Sequence, residues 1–347
     1  MWKLILIVAL AAAAFFAWTA LKPAAVPVVV APPPPPPVAP GGRGLYQKGK
    51  YAEALPKLME EAERAGQNPD AADLLDLAAE CQVRLGRAAD AVPLWERVAK
   101  DFPALPAAGR AAARLAEAQE QKGDLEGARA RLVAAWKAPG ADRDALAKRM
   151  IALNQQLLFS KRETKDSVLH VVQPDESLSK LGRKYGMEAE AIQRINGLKK
   201  ITIFPNDKLK IPRGKFRVDV SKSRRQLWLF YDDSVARMYD VGIGREGHDT
   251  PVGEFAIVTK EVKPAWTMTT EDGRRVVVRY GEPGHILGSR WMGFAPPNQD
   301  IGIHGIPATE EGTIGKASSK GCIRMRNADV EELYDLVAKK TPVSIGD

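Results

Sequence analysis

The spacing of hydrophobic positions changes several times along the chain. Residues 4–21 form an uncharged run of 18 with no polar face. At about 1.5 Å per residue this is roughly 27 Å of helix, close to one hydrocarbon thickness. Residues 1–22 are therefore predicted to be a membrane-spanning helix, either a retained anchor or a cleaved signal segment. Residues 23–43 are Pro-rich, with prolines at every position from 32 to 37, which imposes polyproline II and predicts a stiff linker. From 44 to 160 the apolar positions take helical spacing. Segments beginning at Gly49, Gly86 and Gly123 align without gaps at intervals of 37 residues. Each glycine precedes a helix bearing Ala54, Ala91 or Ala128, then Leu58, Trp95 or Leu132 one turn on. Small residues where helices approach, and large ones to fill the groove, are what stacked helix pairs need, so an all-α repeat array is predicted.

Residues 168–213 alternate at Leu169 and Val171, take helical spacing at Leu178, Leu181 and Tyr185, and alternate again at Leu209 and Ile211. That order predicts a small βααβ module. Asp175 or Ser177 is placed to cap its first helix, Asn196-Gly197 ends the second, and Pro205-Asn206 opens a turn. Residues 216–347 show period-two alternation at Val218, Val220, Leu227 and Leu229, with frequent Gly and Pro turns. A mostly-β domain follows, closed by one helix with Asn327 as N-cap.

Composition narrows the classes. A length of 347 residues predicts two or three folded units. The 51 Lys and Arg against 43 Asp and Glu leave a mild excess with no dense basic stripe, which argues against nucleic acid and suits a polyanionic surface such as a cell envelope. Two cysteines exclude a disulfide scaffold. Neither C-x-x-C nor H-E-x-x-H spacing occurs, so no metal or cofactor is expected. Cys81 falls in a small-residue slot of the repeat and reads as a packed thiol.

Cys322 is the candidate for chemistry. A working cysteine needs a base or cation nearby. His304 is the candidate base, forming a thiolate–imidazolium pair and later protonating a leaving amine. Backbone N–H groups of Lys320, Gly321 and Cys322 are candidates to face an oxyanion. Arg324 offers a fixed cation for a substrate carboxylate, with Ser319 and Gly305 completing the candidate substrate-binding set. Of the other histidines, His170 is expected to be exposed, while His248 and His285 lie in loops that could line the cleft. Trp266, Trp291 and Phe294 read as core or cleft wall.

Three resemblances add to this reading. The array at 44–160 resembles tetratricopeptide repeats, with a period a few residues longer. The module at 168–213 resembles the lysin motif (LysM) through His170-Val171-Val172, Pro174, Ser177-Leu178, Ile195-Asn196-Gly197-Leu198 and Leu209-Lys210-Ile211-Pro212. It departs from that family at Asp175-Glu176-Ser177, where Gly-Asp-Thr is usual. The resemblance implies binding to the N-acetylglucosamine-containing glycan of peptidoglycan or chitin, with Asp175 and Asn196 as glycan-binding candidates. The domain at 216–347 resembles the YkuD-type L,D-transpeptidase catalytic domain. The matching residues are His304-Gly305, Ser319-Lys320-Gly321-Cys322-Ile323-Arg324, Thr250-Pro251 with Gly253 and Phe255, and Leu287-Gly288 with Arg290-Trp291. This implies Cys322 as nucleophile and His304 as general acid/base, oriented through a backbone carbonyl near Gly305.

By the same resemblance, Cys322 attacks the third residue of a tetrapeptide stem and expels D-Ala, and a side-chain amine of a second stem gives a 3→3 crosslink. The alternatives are L,D-carboxypeptidase activity with water as acceptor, attachment of a protein to the wall, or a non-catalytic wall-binding scaffold. The implied partners are peptidoglycan stem peptides and glycan, plus a protein partner for the helical array. The implied location is extracytoplasmic in a bacterial envelope.

Overall fold

A computed structural model describes residues 41–270, 272–298 and 300–347. The predicted membrane helix and nearly all of the Pro-rich linker lie outside the described residues. Among those described, no helix is long and apolar enough to cross a membrane.

Seven helices open the described chain: α1 (Gly42–Gln47), α2 (Tyr51–Ala65), α3 (Pro69–Arg84), α4 (Ala88–Asp101), α5 (Pro106–Gln121), α6 (Leu125–Lys137) and α7 (Arg143–Leu157). The first begins inside the stretch predicted as linker. Gly49, Gly86 and Gly123 recur at equivalent turns, each with φ between 73° and 78°, a left-handed conformation that glycine adopts without steric cost. Ala54, Ala91 and Ala128 are fully buried behind them, and Leu58, Trp95 and Leu132 fill the grooves. Buried Asp76 of α3 ties neighbouring helices together, accepting from Trp95 Nε1 of α4 at 3.2 Å and Arg110 Nε of α5 at 2.8 Å. Cys81 is buried, a packed thiol as expected.

The small module pairs β1 (Ser167–Val171) antiparallel with β2 (Lys208–Pro212), flanking α8 (Leu178–Tyr185) and α9 (Ala189–Ile195). Ser177 is the helix cap, its hydroxyl accepting from the Lys180 amide at 3.3 Å. Asp175 sits at φ 62° in the preceding turn. His170 is not exposed as expected. It is buried, with Nδ1 3.0 Å from the Tyr185 hydroxyl and Nε2 2.6 Å from Glu176.

The remaining chain builds an eight-stranded sheet. Its strands are β3 (Phe216–Ser221), β4 (Gln226–Tyr231), β5 (Ser234–Asp240), β7 (Gly253–Val262), β10 (Arg290–Phe294), β11 (Gly302–Gly305), β13 (Ile323–Met325) and β14 (Pro342–Gly346). They run in the order β13-β11-β10-β7-β14-β3-β4-β5. β6 (Ile243–Gly244) pairs with β12 (Ala317–Ser319), and β8 (Trp266–Thr269) with β9 (Arg275–Val278) as a hairpin. Helix α10 (Asn327–Leu336) buries Val330, Leu333 and Leu336 on the sheet. Arg326, not Asn327, occupies the N-cap. Asn327 instead turns its Oδ1 toward the Ser289 amide at 2.9 Å.

These parts share cores. Trp136 of α6 stands edge-on to Trp228 and Phe230 of β4, at 5.6 and 5.7 Å between centroids, each contact worth about 1 kcal/mol beyond burial. Buried Asn154 of α7 donates to Ser234 Oγ at 2.9 Å and to the Val235 carbonyl at 2.8 Å, satisfying groups at the sheet edge. Lys210 of β2 is buried and donates to the carbonyls of Leu157 and Ser160 at the end of α7. Burial holds its pKa down to about 8. Lys260 of β7 reaches Glu188 at 2.9 Å and the Val337 carbonyl at 2.6 Å. The array, the small module and the sheet thus meet through buried polar links as well as apolar packing.

Candidate active site

The Cys322 turn joins β12 to β13 and is held at both ends. On one side the Arg245 amide donates to the Ser319 carbonyl at 3.0 Å. On the other, Arg324 and Gly242 exchange backbone hydrogen bonds at 2.9 Å. Ser319 is buried, and its hydroxyl closes the turn from within. It donates to the Cys322 carbonyl at 2.6 Å and accepts from the Gly321 amide at 3.1 Å. Ser319 lines the cleft, but its hydroxyl is spent on shaping the turn. The Gly321 N–H is committed to that hydroxyl, which leaves Lys320 and Cys322 of the three oxyanion candidates. Gly321 itself takes φ 112°, a conformation that L side chains rarely adopt.

His304 sits beside this turn because β11 and β13 run parallel, placing it directly opposite Arg324. On the other flank it pairs with Trp291 of β10, the rings 5.9 Å apart at centroids. The ring is buried, and Nδ1 lies 2.6 Å from the Gly305 carbonyl. Since a carbonyl only accepts, Nδ1 carries the proton and Nε2 is the free acceptor. Gly305 is buried, and its carbonyl orients the ring.

The electrostatics differ from a thiolate–imidazolium pair. Burial lowers the His304 pKa to about 4, with the Arg324 cation pushing the same way. Burial also raises the Cys322 thiol above its ordinary value, opposed by the Gly302 amide and Arg324. Both groups are therefore neutral near pH 7. No hydrogen bond joins Sγ to the ring. The half-buried thiol points to the Asp300 carbonyl at 3.6 Å. A neutral imidazole beside a neutral thiol suits proton transfer concerted with attack.

Cys322, His304 and Arg324 open onto one cleft of about 620 Å³, walled by Trp266, Trp291 and Leu287. Arg324 lies 3.2 Å from Glu310 through one nitrogen, while its buried Nε has no partner among the described residues. Trp291 and Trp266 are cleft wall, and Phe294 is core, stacked on Phe255 at 5.2 Å. His285 is buried with Nε2 2.8 Å from the Pro264 carbonyl, where it fastens the base of the β8–β9 hairpin. Neither it nor His248 lines the cleft. Among the described residues no cluster of His, Cys, Asp and Glu could hold a metal.

Comparison with known proteins gives the same reading for this part of the chain. The L,D-transpeptidase catalytic domain profile matches residues 215–345, and the LysM domain profile matches residues 170–212. A Bacillus subtilis protein bearing the L,D-transpeptidase name, YqjB, is 35% identical over 38% of this chain and 70% of its own length. A Bacillus licheniformis protein bearing the same family name, YkuD, is 30% identical over 51% of this chain and 98% of its own. The chain belongs to the L,D-transpeptidase family. Among solved structures, the catalytic domain of the Enterococcus faecium L,D-transpeptidase is 24% identical. That match covers 38% of this chain and 97% of that one at a TM-score of 0.31. An L,D-transpeptidase from Mycobacterium smegmatis is 16% identical, covering 40% of this chain and 63% of that one, at a TM-score of 0.31.

Within this L,D-transpeptidase, the LysM domain corrects one further expectation. Asn196 is not available to a glycan. It is buried, its Nδ2 donates to the Ile192 and Lys210 carbonyls at 2.9 Å, and its Oδ1 accepts from the Lys210 amide at 2.7 Å. Asp175 is exposed in its turn, and its carboxylate has no ion pair among the described residues. An Asn following the last turn of a helix and preceding Gly is a signal for such a structural role.

Proposed function

We propose that this protein crosslinks peptidoglycan stems by L,D-transpeptidation at the wall, with Cys322 as nucleophile and His304 as general acid/base. The observation that carries the reading is the pairing of a partly open thiol with a buried imidazole whose free Nε2 faces the same cleft. The thiol proton passes to His304 Nε2 as sulfur attacks the carbonyl of the third stem residue. The Lys320 and Cys322 amides face the developing oxyanion. The imidazolium then protonates the departing D-Ala amine, leaving a thioester. An acceptor amine attacks the thioester and gives a proton to Nε2, and that proton returns to the leaving sulfur. Arg324 holds a stem carboxylate in register.

The LysM domain grips glycan through its exposed turn at Asp175, and the segment at 1–22 tethers the enzyme to the membrane. The helical array, tetratricopeptide-like in its spacing, docks a protein partner. Because Lys260 of the sheet is hydrogen-bonded to Glu188 of the LysM domain, glycan binding and acyl transfer have a fixed separation. Incubating the purified protein with a disaccharide-tetrapeptide tests the reaction. A 3→3 dimer that vanishes in Cys322→Ser supports the proposal, and release of tripeptide alone assigns the trimming activity instead.

A further inference from the structure

Strand register places four chemically distinct residues in one line. Arg324 lies opposite His304, His304 opposite Trp291, and Trp291 opposite Glu261. Directly opposed residues share a face of the sheet, and neighbouring strands stand about 4.8 Å apart. The row therefore runs roughly 14 Å across β13, β11, β10 and β7, with a cation at one end and an anion at the other. All four residues line the cleft. Glu261 is exposed and has no ion pair among the described residues. The other charges on the cleft are Arg245, Lys320 and Arg324 against Asp300, whose carbonyl receives the Cys322 thiol.

We infer that Glu261, with the half-buried Trp266 ring lining the same cleft, selects the acceptor: a stem-peptide primary amine, protonated in solution. The inference rests on Cys322 and His304 being the reacting pair. An otherwise cationic cleft repels an ammonium group and attracts the carboxylates of the donor stem, so the two substrates need opposite ends. Glu261 supplies the only carboxylate on the far side of Trp291 among the described residues lining the cleft. Indole faces attract ammonium groups, so Trp266 and Trp291 extend that end toward His304. The amine arrives as an ammonium ion beside Glu261, passes its proton to solvent, and attacks the thioester while His304 takes the second proton. Glu261 thus sets acceptor capture and the balance between aminolysis and hydrolysis, and it forms no bond to the reacting atoms.

The test uses the purified full-length protein with disaccharide-tetrapeptide as donor and acceptor, reading the ratio of crosslinked dimer to tripeptide. Glu261→Gln is expected to lower that ratio about threefold and Glu261→Lys, which reverses the charge, about tenfold through acceptor KM. Glu261→Asp restores most of it. Trapping of the same thioester by hydroxylamine, neutral at the assay pH, changes much less than the ratio. An unchanged ratio in both the Gln and Lys variants overturns the inference, as does an equal fall with hydroxylamine, which marks a structural effect. Failure of the wild-type protein to acylate at Cys322, read by intact mass, overturns the underlying assignment and is separate from either result.

Discussion

Nδ1 of His304 donates to the carbonyl oxygen of its neighbour Gly305 at 2.6 Å. That bond fixes the tautomer and leaves Nε2 to accept. The geometry depends on Gly305 lacking a side chain, since a Cβ there would come within 2.2 Å of Asn327 Oδ1. Asn327 in turn holds the Ser289 amide. The first residue of α10 and the backbone after the histidine are thus packed as a unit, and the imidazole inherits its position from them.

The neutral, buried state of His304 sets the pH response. With its pKa near 4, kcat/KM is expected to stay level from neutral pH down and to fall below about pH 4 as the ring protonates. An acid limb centred near the ordinary 6.5 contradicts this. The stability sign follows from the same shift. The unfolded chain binds this proton at 6.5 and the folded one only near 4, so stability falls as pH drops through that window and levels off below it. The loss is on the order of 3 kcal/mol. Denaturant titrations of wild type and His304→Gln at several pH values check it, the variant showing the shallower slope.

Gly321 carries the turn before the thiol. An alanine there must adopt φ 112°, and its Cβ would lie 2.8 Å from Ile301 Cδ1. Gly321→Ala is expected to slow acylation by about tenfold or more by moving the Cys322 amide and thiol. Circular dichroism should show the fold retained. Wild-type acylation rates would contradict the turn's role.

Asn196 and Asp175 are expected to separate cleanly. Asn196→Ala strands the backbone groups that its amide satisfies and should destabilise the protein by about 2–4 kcal/mol in denaturant unfolding. Asp175→Asn, which tolerates the same left-handed turn, should change stability by less than about 0.5 kcal/mol and alter only retention on purified peptidoglycan. A stable Asn196→Ala protein with impaired retention would reverse the two assignments.

Much of this was legible in the sequence because the relevant forces are local. The left-handed turns at Gly49, Gly86 and Gly123 and the small residues behind them follow from spacing alone. So does the alternation of Leu209 and Ile211. The pairing of Cys322 with His304 was legible as a motif. The protonation state of the pair was not, because it comes from burial by strands far apart in sequence. The exposure expected for His170 failed for the same reason: Tyr185 and Glu176 close over it only in the folded module. Ser319 and Gly321 looked like substrate and oxyanion groups, yet short-range geometry turns them toward each other. Glu261 gave no signal at all. Its place beside the cleft depends on register across three strand pairs joined by a long hairpin and a parallel crossover.

The most direct test of the account is acyl-enzyme formation with a disaccharide-tetrapeptide, followed by intact mass for wild type, Cys322→Ser and His304→Ala. The account predicts a thioester adduct on wild type that resolves to dimer. It also predicts none on Cys322→Ser and formation slowed by about a hundredfold or more in His304→Ala. An adduct of equal yield on Cys322→Ser, or wild-type rates in His304→Ala, would contradict it.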